Sequence, residues 1–162
     1  MNPSQVDPGA AAGGGHPVAG ALGRSPCVLV VDDQPLNIQA LYRALAPDHQ
    51  VLVATHGAKA ISICRESRPD IVLLDVVMPE MDGYQVIRIL KDDPATTDIP
   101  VIFVTARDAA EDETRGLSLG AADFVGKPIN PAVLRARVRT HVELARLRAL
   151  LAAQPRADSG PA

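Results

Sequence analysis

Between residues 27 and 145 the chain alternates short, unbroken apolar runs with longer stretches in which apolar residues recur at every third or fourth position. Cys27-Val28-Leu29-Val30-Val31 is the first run, and it stops at Asp32-Asp33. Residues 51–54, 71–74, 101–104 and 122–125 form the others; the third closes on Asp75, the fourth on Thr105 and the fifth on Lys127-Pro128. An apolar run without alternation suits a strand buried on both faces. Between the runs, Leu36, Ile38, Ala40, Leu41 and Leu45 follow Pro35 at near-helical spacing, as do Ala58, Ile61, Ile63 and Cys64 ahead of Pro69, and Tyr84, Val86, Ile87 and Leu90 after Gly83. Proline suits a first helical turn and a position just past a helix end. A fourth helix is predicted over residues 111–119 with Gly120 as its C-cap, and a fifth from Asn130 as N-cap and Pro131 to about residue 152.

Five repeats of strand and helix argue for a parallel sheet with helices on both faces, connected by right-handed crossovers. In such sheets the ligand site lies beyond the carboxyl ends of the strands, where the strand order reverses. Asp32, Asp33, Asp75, Thr105 and Lys127 all stand at those ends. Four segments distant in sequence thus deliver three acids, a hydroxyl and an ammonium to one rim.

The flanks read differently. Residues 1–25 are rich in Gly, Ala and Pro and show no periodicity; such a segment buries too little apolar surface to offset its ordering entropy, so a disordered tail is expected. Residues 26–145 form the expected domain, and 146–162 a helix extension and flexible tail. Aliphatic side chains must fill the core, because aromatics are only 2% of the chain against 47% apolar residues overall. A net charge of -3 gives no electrostatic reason to expect nucleic-acid or membrane binding. No apolar run approaches membrane-spanning length, and Cys27 and Cys64 stand in no metal or redox spacing. Buried free thiols and a cytoplasmic location are the expectation.

Three crowded carboxylates repel one another, and a hard divalent cation with oxygen ligands and room for water, such as Mg²⁺, relieves this. With Lys127 as a second positive charge, the rim suits an incoming phosphoryl group, whose transfer needs alignment and charge neutralisation. A carboxylate is a competent nucleophile for it.

The motifs Val31-Asp32-Asp33, Leu74-Asp75-Val76-Val77-Met78-Pro79-Glu80-Met81-Asp82-Gly83, Thr105-Ala106 and Lys127-Pro128 are individually common. In this order and at these strand ends the chain resembles the receiver domain of two-component response regulators. That resemblance implies a flavodoxin-like doubly wound sheet of strand order 2-1-3-4-5 with five helices, the last extended. It implies Asp75 as phosphoacceptor, Asp33 as a direct Mg²⁺ ligand, Asp32 as the acid holding a metal-bound water, and the Val77 backbone carbonyl as a further ligand. Lys127 would contact a phosphoryl oxygen. Thr105 would turn its hydroxyl to the phosphoryl group, with Phe124 as the rotating switch aromatic where the family more often has Tyr. Ala106 would leave access open, and the Lys127–Pro128 bond would be cis. Val77 and Arg107 would flank the route of attacking water. The implied partners are a histidine kinase or histidine phosphotransfer protein and a downstream protein yet to be named. The implied function is a phosphoacceptor that catalyses its own phosphorylation and dephosphorylation rather than an enzyme acting on other substrates.

Structural readings compete residue by residue. Asp32-Asp33 alone suits a solvated turn or a helix cap, Thr105 a strand-end hydroxyl bonded to backbone, Phe124 and Tyr84 plain packing, and His49, His56 and His141 surface or cap positions; His16 carries no role. Other α/β functions fit worse. Gly120 and Gly126-Lys127-Pro128 miss the P-loop spacing, no Gly-x-Gly-x-x-Gly follows the first strand, and Val77 stands where a dehalogenase-type phosphatase needs a second Asp. Acids occupy the loop where a flavodoxin would carry Ser and Thr.

The last helix, about 22 residues or roughly 33 Å, exceeds what the sheet needs. Leu134, Val138 and Val142 should pack on the sheet, while Leu144, Leu147 and Leu151 form a second stripe beyond the domain edge. Arg135, Arg137, Arg139, Arg146 and Arg148 make the helix basic, and a solvated Arg face competes with a dimer contact or a connecting helix. The fourth helix, fifth strand and fifth helix are the candidate surface for a homodimer. The expectation is a stand-alone receiver; the alternative is the receiver module of a longer regulator whose cyclic-dinucleotide enzyme or DNA-binding output is missing from this chain.

Overall fold

The computed structural model describes residues 24–106 and 110–154. Most of the expected N-terminal tail, Arg107 and the segment 155–162 lie outside the described residues. The strands are β1 (Cys27–Val31), β2 (Gln50–Ala54), β3 (Ile71–Leu74), β4 (Val101–Thr105) and β5 (Asp123–Gly126). The helices are α1 (Pro35–Leu45), α2 (Gly57–Ser67), α3 (Gly83–Asp92), α4 (Ala110–Ser118) and α5 (Pro131–Ala153). All five strands pair in parallel in the order β2-β1-β3-β4-β5, as expected from the sequence.

Period-two alternation divides the core between the two faces. Leu29, Val31, Val72, Leu74, Val101 and Phe103 point to one face and meet α2 and α3 through Ala60, Ile61, Cys64, Tyr84, Ile87 and Leu90. Val28, Val30, Ile71, Leu73, Ile102, Val104 and Val125 point to the other and meet Leu41 and Leu45 of α1 and Leu134, Val138 and Val142 of α5. Strands β1, β3 and β4 are buried on both faces, which is why their sequences do not alternate. Edge strand β2 keeps Gln50 and Val53 exposed.

Local chemistry sets the ends of the helices. Asp82 and Gln85 form a reciprocal capping box at α3, with both bonds at 2.9 Å. Asn130 Oδ1 accepts from Ala132 N and Val133 N at the start of α5. His56 caps α2 through Nδ1, a role the sequence allowed. Gly120, at φ 102°, closes the α4 end in the left-handed region that favours glycine.

Register brings the strand ends level. Val31 pairs with Ala54 on one side and Leu74 on the other, and Thr105 pairs with Gly126. Asp32, Asp75, Thr105 and Lys127 therefore stand along one rim.

Candidate functional site

A cleft of about 840 Å³ opens at that rim, lined among others by Asp33, Asp75, Val77, Thr105, Ala106 and Lys127. It sits beyond the paired carboxyl ends of β1 and β3, where the helices that follow them leave to opposite faces of the sheet, at the reversal of strand order.

Asp32 follows β1 directly and is fully buried. Its Oδ1 accepts from Gln34 N at 2.9 Å, and its Oδ2 receives Lys127 Nζ at 2.7 Å. It is therefore no solvated turn. Asp33, one residue on, is half-buried and has no hydrogen-bond or ion-pair partner among the described residues.

Asp75 follows β3 and is 7% exposed. Its amide donates to Val31 O at 3.0 Å, which ties the β3 end to β1. Its carboxylate lies 3.4 Å from Val77 N and 3.5 Å from Lys127 Nζ. Burial pushes its pKa above the usual carboxylate range; Lys127, the Thr105 hydroxyl and the Val77 N–H oppose this, while Asp32 adds to it.

Thr105 ends β4. Its Oγ1 is buried and closes no hydrogen bond among the described residues, although its dipole favours the Asp75 carboxylate. The reading as a backbone-bonded strand-end hydroxyl fails here. Leaving such a group unpaired costs about 1–3 kcal/mol and calls for an explanation. Lys127 follows β5, its amide donating to Thr105 O at 2.9 Å, and the Lys127–Pro128 bond is cis. Its ammonium reaches into the rim from the far side, closer to Asp32 than to Asp75.

One carboxylate oxygen from each of Asp32, Asp33 and Asp75 lies within 4.8 Å of the others. All are hard donors, and the cleft has room for water. The acidic trio outnumbers its one lysine, so the donor set fits a hard divalent cation. Asp33 and Asp75 have the most free coordinating capacity, because Asp32 already holds Lys127 and the Gln34 amide.

Not every expected residue reaches the cleft. Phe124 lies on the α3 side of the sheet, its ring 6.4 Å from that of Phe103, which in turn is 5.6 Å from Tyr84. Val77 sits at the mouth with its side chain largely exposed. His141 is neither surface nor cap. Its Nε2 lies 3.0 Å from Asp123, and Arg137 grips the same carboxylate with bonds of 2.8 and 2.9 Å. Arg135 reaches Ala44 O and Arg146 reaches Arg24 O, so the Arg face of α5 is only partly solvated. Cys64 is buried, but Cys27 is only half-buried because it opens β1 at the edge of the core.

Sequence reading missed Gly83 as part of the site's support. A β-carbon there would overlap the Asp75 carbonyl oxygen and press on Val76 Cα. Its absence lets α3 dock under the β3 end, with Gly83 N donating to Val76 O at 2.8 Å. Asn37, one turn into α1, also lines the cleft; its position four residues after Asp33 was the available signal.

Comparison with known proteins agrees with this geometry. A model of the family described as "Response regulator receiver domain" matches residues 28–139. The response regulator PleD of Caulobacter vibrioides is 46% identical over 114 residues, which is 70% of this chain and 25% of PleD. The protein PilH of Pseudomonas aeruginosa is 40% identical over 108 residues, 66% of this chain and 89% of PilH. The receiver domain of Francisella response regulator 1452 superposes with a TM-score of 0.69 at 28% identity, covering 74% of this chain and 98% of that domain. The chain thus spans a quarter of one relative and most of another.

Proposed function

The chain belongs to the response regulator receiver family, and on that premise we propose that it accepts a phosphoryl group on Asp75 from a histidine kinase or histidine phosphotransfer protein. The observation that carries this reading is the convergence of Asp32, Asp33, Asp75, Thr105 and Lys127 on one cleft, with a buried Thr105 hydroxyl that closes no hydrogen bond among the described residues.

In the transfer, an Asp75 carboxylate oxygen forms the new bond to phosphorus. The bond to the leaving imidazole breaks and its electron pair departs with the nitrogen. Lys127 moves from Asp32 toward a phosphoryl oxygen, and Thr105 donates its unused hydroxyl to another. Asp33, Asp75 and the Val77 carbonyl would hold Mg²⁺ and Asp32 would support it through water; the ion would supply charge neutralisation for the phosphoryl oxygens. Turning Thr105 inward vacates space that the Phe124 ring follows, and the face formed by α4, β5 and α5 carries the change to a protein partner or a second copy. Water attack on the acyl phosphate, past Val77, resets the site. Receivers in general are phosphoacceptors and not enzymes acting on other substrates. Cytoplasmic operation fits the partners; among the described residues no helix is long and apolar enough to cross a membrane. The coverage of PilH favours a stand-alone receiver. The coverage of PleD favours the alternative, a module of a longer regulator with its output elsewhere.

Incubation of the full chain with acetyl phosphate and Mg²⁺, followed by intact-mass measurement, is the test. One phosphoryl unit should add in the wild type, and none in Asp75→Asn or with a chelator present. A gain that persists in Asp75→Asn places the acceptor elsewhere and defeats the reading.

A further inference from the structure

Asp32 is held from two sides that differ in kind. Its Oδ2 receives Lys127 Nζ at 2.7 Å, from a flexible stem whose ammonium also stands 3.5 Å from Asp75. Its Oδ1 faces the start of α1, where it accepts from Gln34 N at 2.9 Å and from Asn37 Nδ2 at 3.5 Å. The first donor can swing away, whereas the other two are fixed to the helix. Asp32 is fully buried, so each donor it loses weighs on its charge.

Asn37 suits this place better than it suits the helix. It stands in the first turn of α1, where the Gln34 side chain makes no cap bond and no acid follows. Asparagine is a poorer helix former than leucine, because its side chain competes for local hydrogen bonds. Leu36 and Gln39 nearby are exposed, but Asn37 is half-buried and lines both the cleft and the groove beside Pro128 and Ile129. Among the described residues its side chain bonds to Asp32 alone. At 3.5 Å that contact is slack. It adds little while Lys127 is present and has room to shorten once Lys127 withdraws. The carboxamide carries no net charge, so a phosphoryl group draws it far less than it draws Lys127.

We propose that Asn37 is a positioning residue, which keeps the Asp32 carboxylate aimed at the metal position when Lys127 leaves it for the phosphoryl group. The departure of Lys127 rests on the phosphoacceptor reading; the hold of Asn37 on Asp32 does not. Asn37 takes no part in the bond changes at Asp75.

A double-mutant cycle on the full chain, by urea denaturation with chelator present, isolates that hold. Asn37→Leu alone should leave the folding equilibrium within about twofold of wild type, since a better helix former offsets the slack bond. In a Lys127→Met background, which imitates the departure, the same substitution should cost about tenfold in that equilibrium. Equal effects in the two backgrounds overturn the proposal. Titration calorimetry with Mg²⁺ gives the second readout, on Asn37→Leu and wild type alone, and decides the matter if Lys127→Met does not fold. Asn37→Leu should bind the ion about tenfold more weakly, because an acid that supports the ion through water has lost its aim. A variant that binds Mg²⁺ like the wild type overturns the proposal. Neither measurement uses a phosphodonor, so a failure here and a failure of Asp75 to accept a phosphoryl group are told apart.

Discussion

At the amino-terminal rim of the sheet, Lys91 reaches in from α3 and donates to Thr97 O and Ile99 O, each at 2.9 Å. Thr96, buried beside it, gives its hydroxyl to Leu90 O at 2.7 Å, and Asp70 takes the Cys27 amide at 2.7 Å. At the carboxyl-terminal rim the same residue types are left in tension. Among the described residues the buried Thr105 hydroxyl closes no hydrogen bond and Asp33 has no partner, Lys127 is divided between two acids, and burial works against the charge on Asp75. Both rims carry a lysine, a threonine and an aspartate, so residue type does not separate structural from reactive positions. Whether the local groups satisfy one another does. A satisfied rim holds the fold together, whereas an unsatisfied one costs stability until a ligand arrives.

The contrast breaks most sharply at Lys91. Burial lowers its pKa, with Asp98 opposing, yet its ammonium holds two carbonyls that no other described group meets. Lys91→Met keeps the apolar stem and removes the donors, so it should destabilise the fold by about 2 kcal/mol. Urea denaturation would show this as a lower midpoint at unchanged slope. An unshifted midpoint would mean that the amino-terminal rim is not held by these bonds.

The carboxyl-terminal rim should respond with the opposite sign. Asp75→Asn removes a buried negative charge that sits among other acids, leaves Lys127 paired with Asp32, and keeps an oxygen for the Val77 N–H. With a chelator present it should stabilise the chain by about 1 kcal/mol, as substitutions at strained functional sites do. Saturating Mg²⁺ should then reverse the order, because a cation that binds the native wild type stabilises it by mass action and the variant has lost a ligand. Thermal midpoints of both proteins, with and without Mg²⁺, decide this. A variant less stable than wild type in chelator would show that Asp75 is not under tension.

How far the sequence foretells these rims depends on the range of the interaction. The strands were legible because their periodicity and turn residues are local, and the parallel crossovers follow from alternation, whereas the order 2-1-3-4-5 across the sheet came only with the family resemblance. Asp32, Asp33, Asp75, Thr105 and Lys127 were legible because each ends a strand, and strand ends of a parallel sheet share a rim. The orphaned Thr105 hydroxyl was not, since its environment is set by the loops around it. Gly83 looked like loop punctuation, because its close approach to the Asp75 carbonyl comes from docking α3 across eight residues of chain. His141 and Arg137 stand one turn apart on α5, a spacing visible in sequence. Their partner Asp123 comes 14 and 18 residues earlier and could be found only once β5 lay against α5.

That cluster gives the finest comparison, because Asp123 is an acid like Asp75 with its preference reversed. Burial works against its charge too, but the Arg137 bonds, the His141 contact and the Phe124 N–H outweigh burial and hold its pKa below the usual carboxylate range. A carboxyl depressed in the folded state binds fewer protons there than in the unfolded chain. Its stabilisation is therefore fully present above the ordinary carboxylate pKa of about 4 and is lost as the pH falls through the lower, folded value. Arg137 is nearly half-exposed, so solvent screens much of the pairing, and Asp123→Asn should cost only about 0.5 kcal/mol at neutral pH. Melting the two proteins in parallel from about pH 7 down to about pH 3 should show the gap between them narrowing toward zero at the acid end. If the gap stays constant with pH, Asp123 contributes shape and hydrogen bonding but not charge, and the contrast between the two acids reduces to the tension on Asp75 alone.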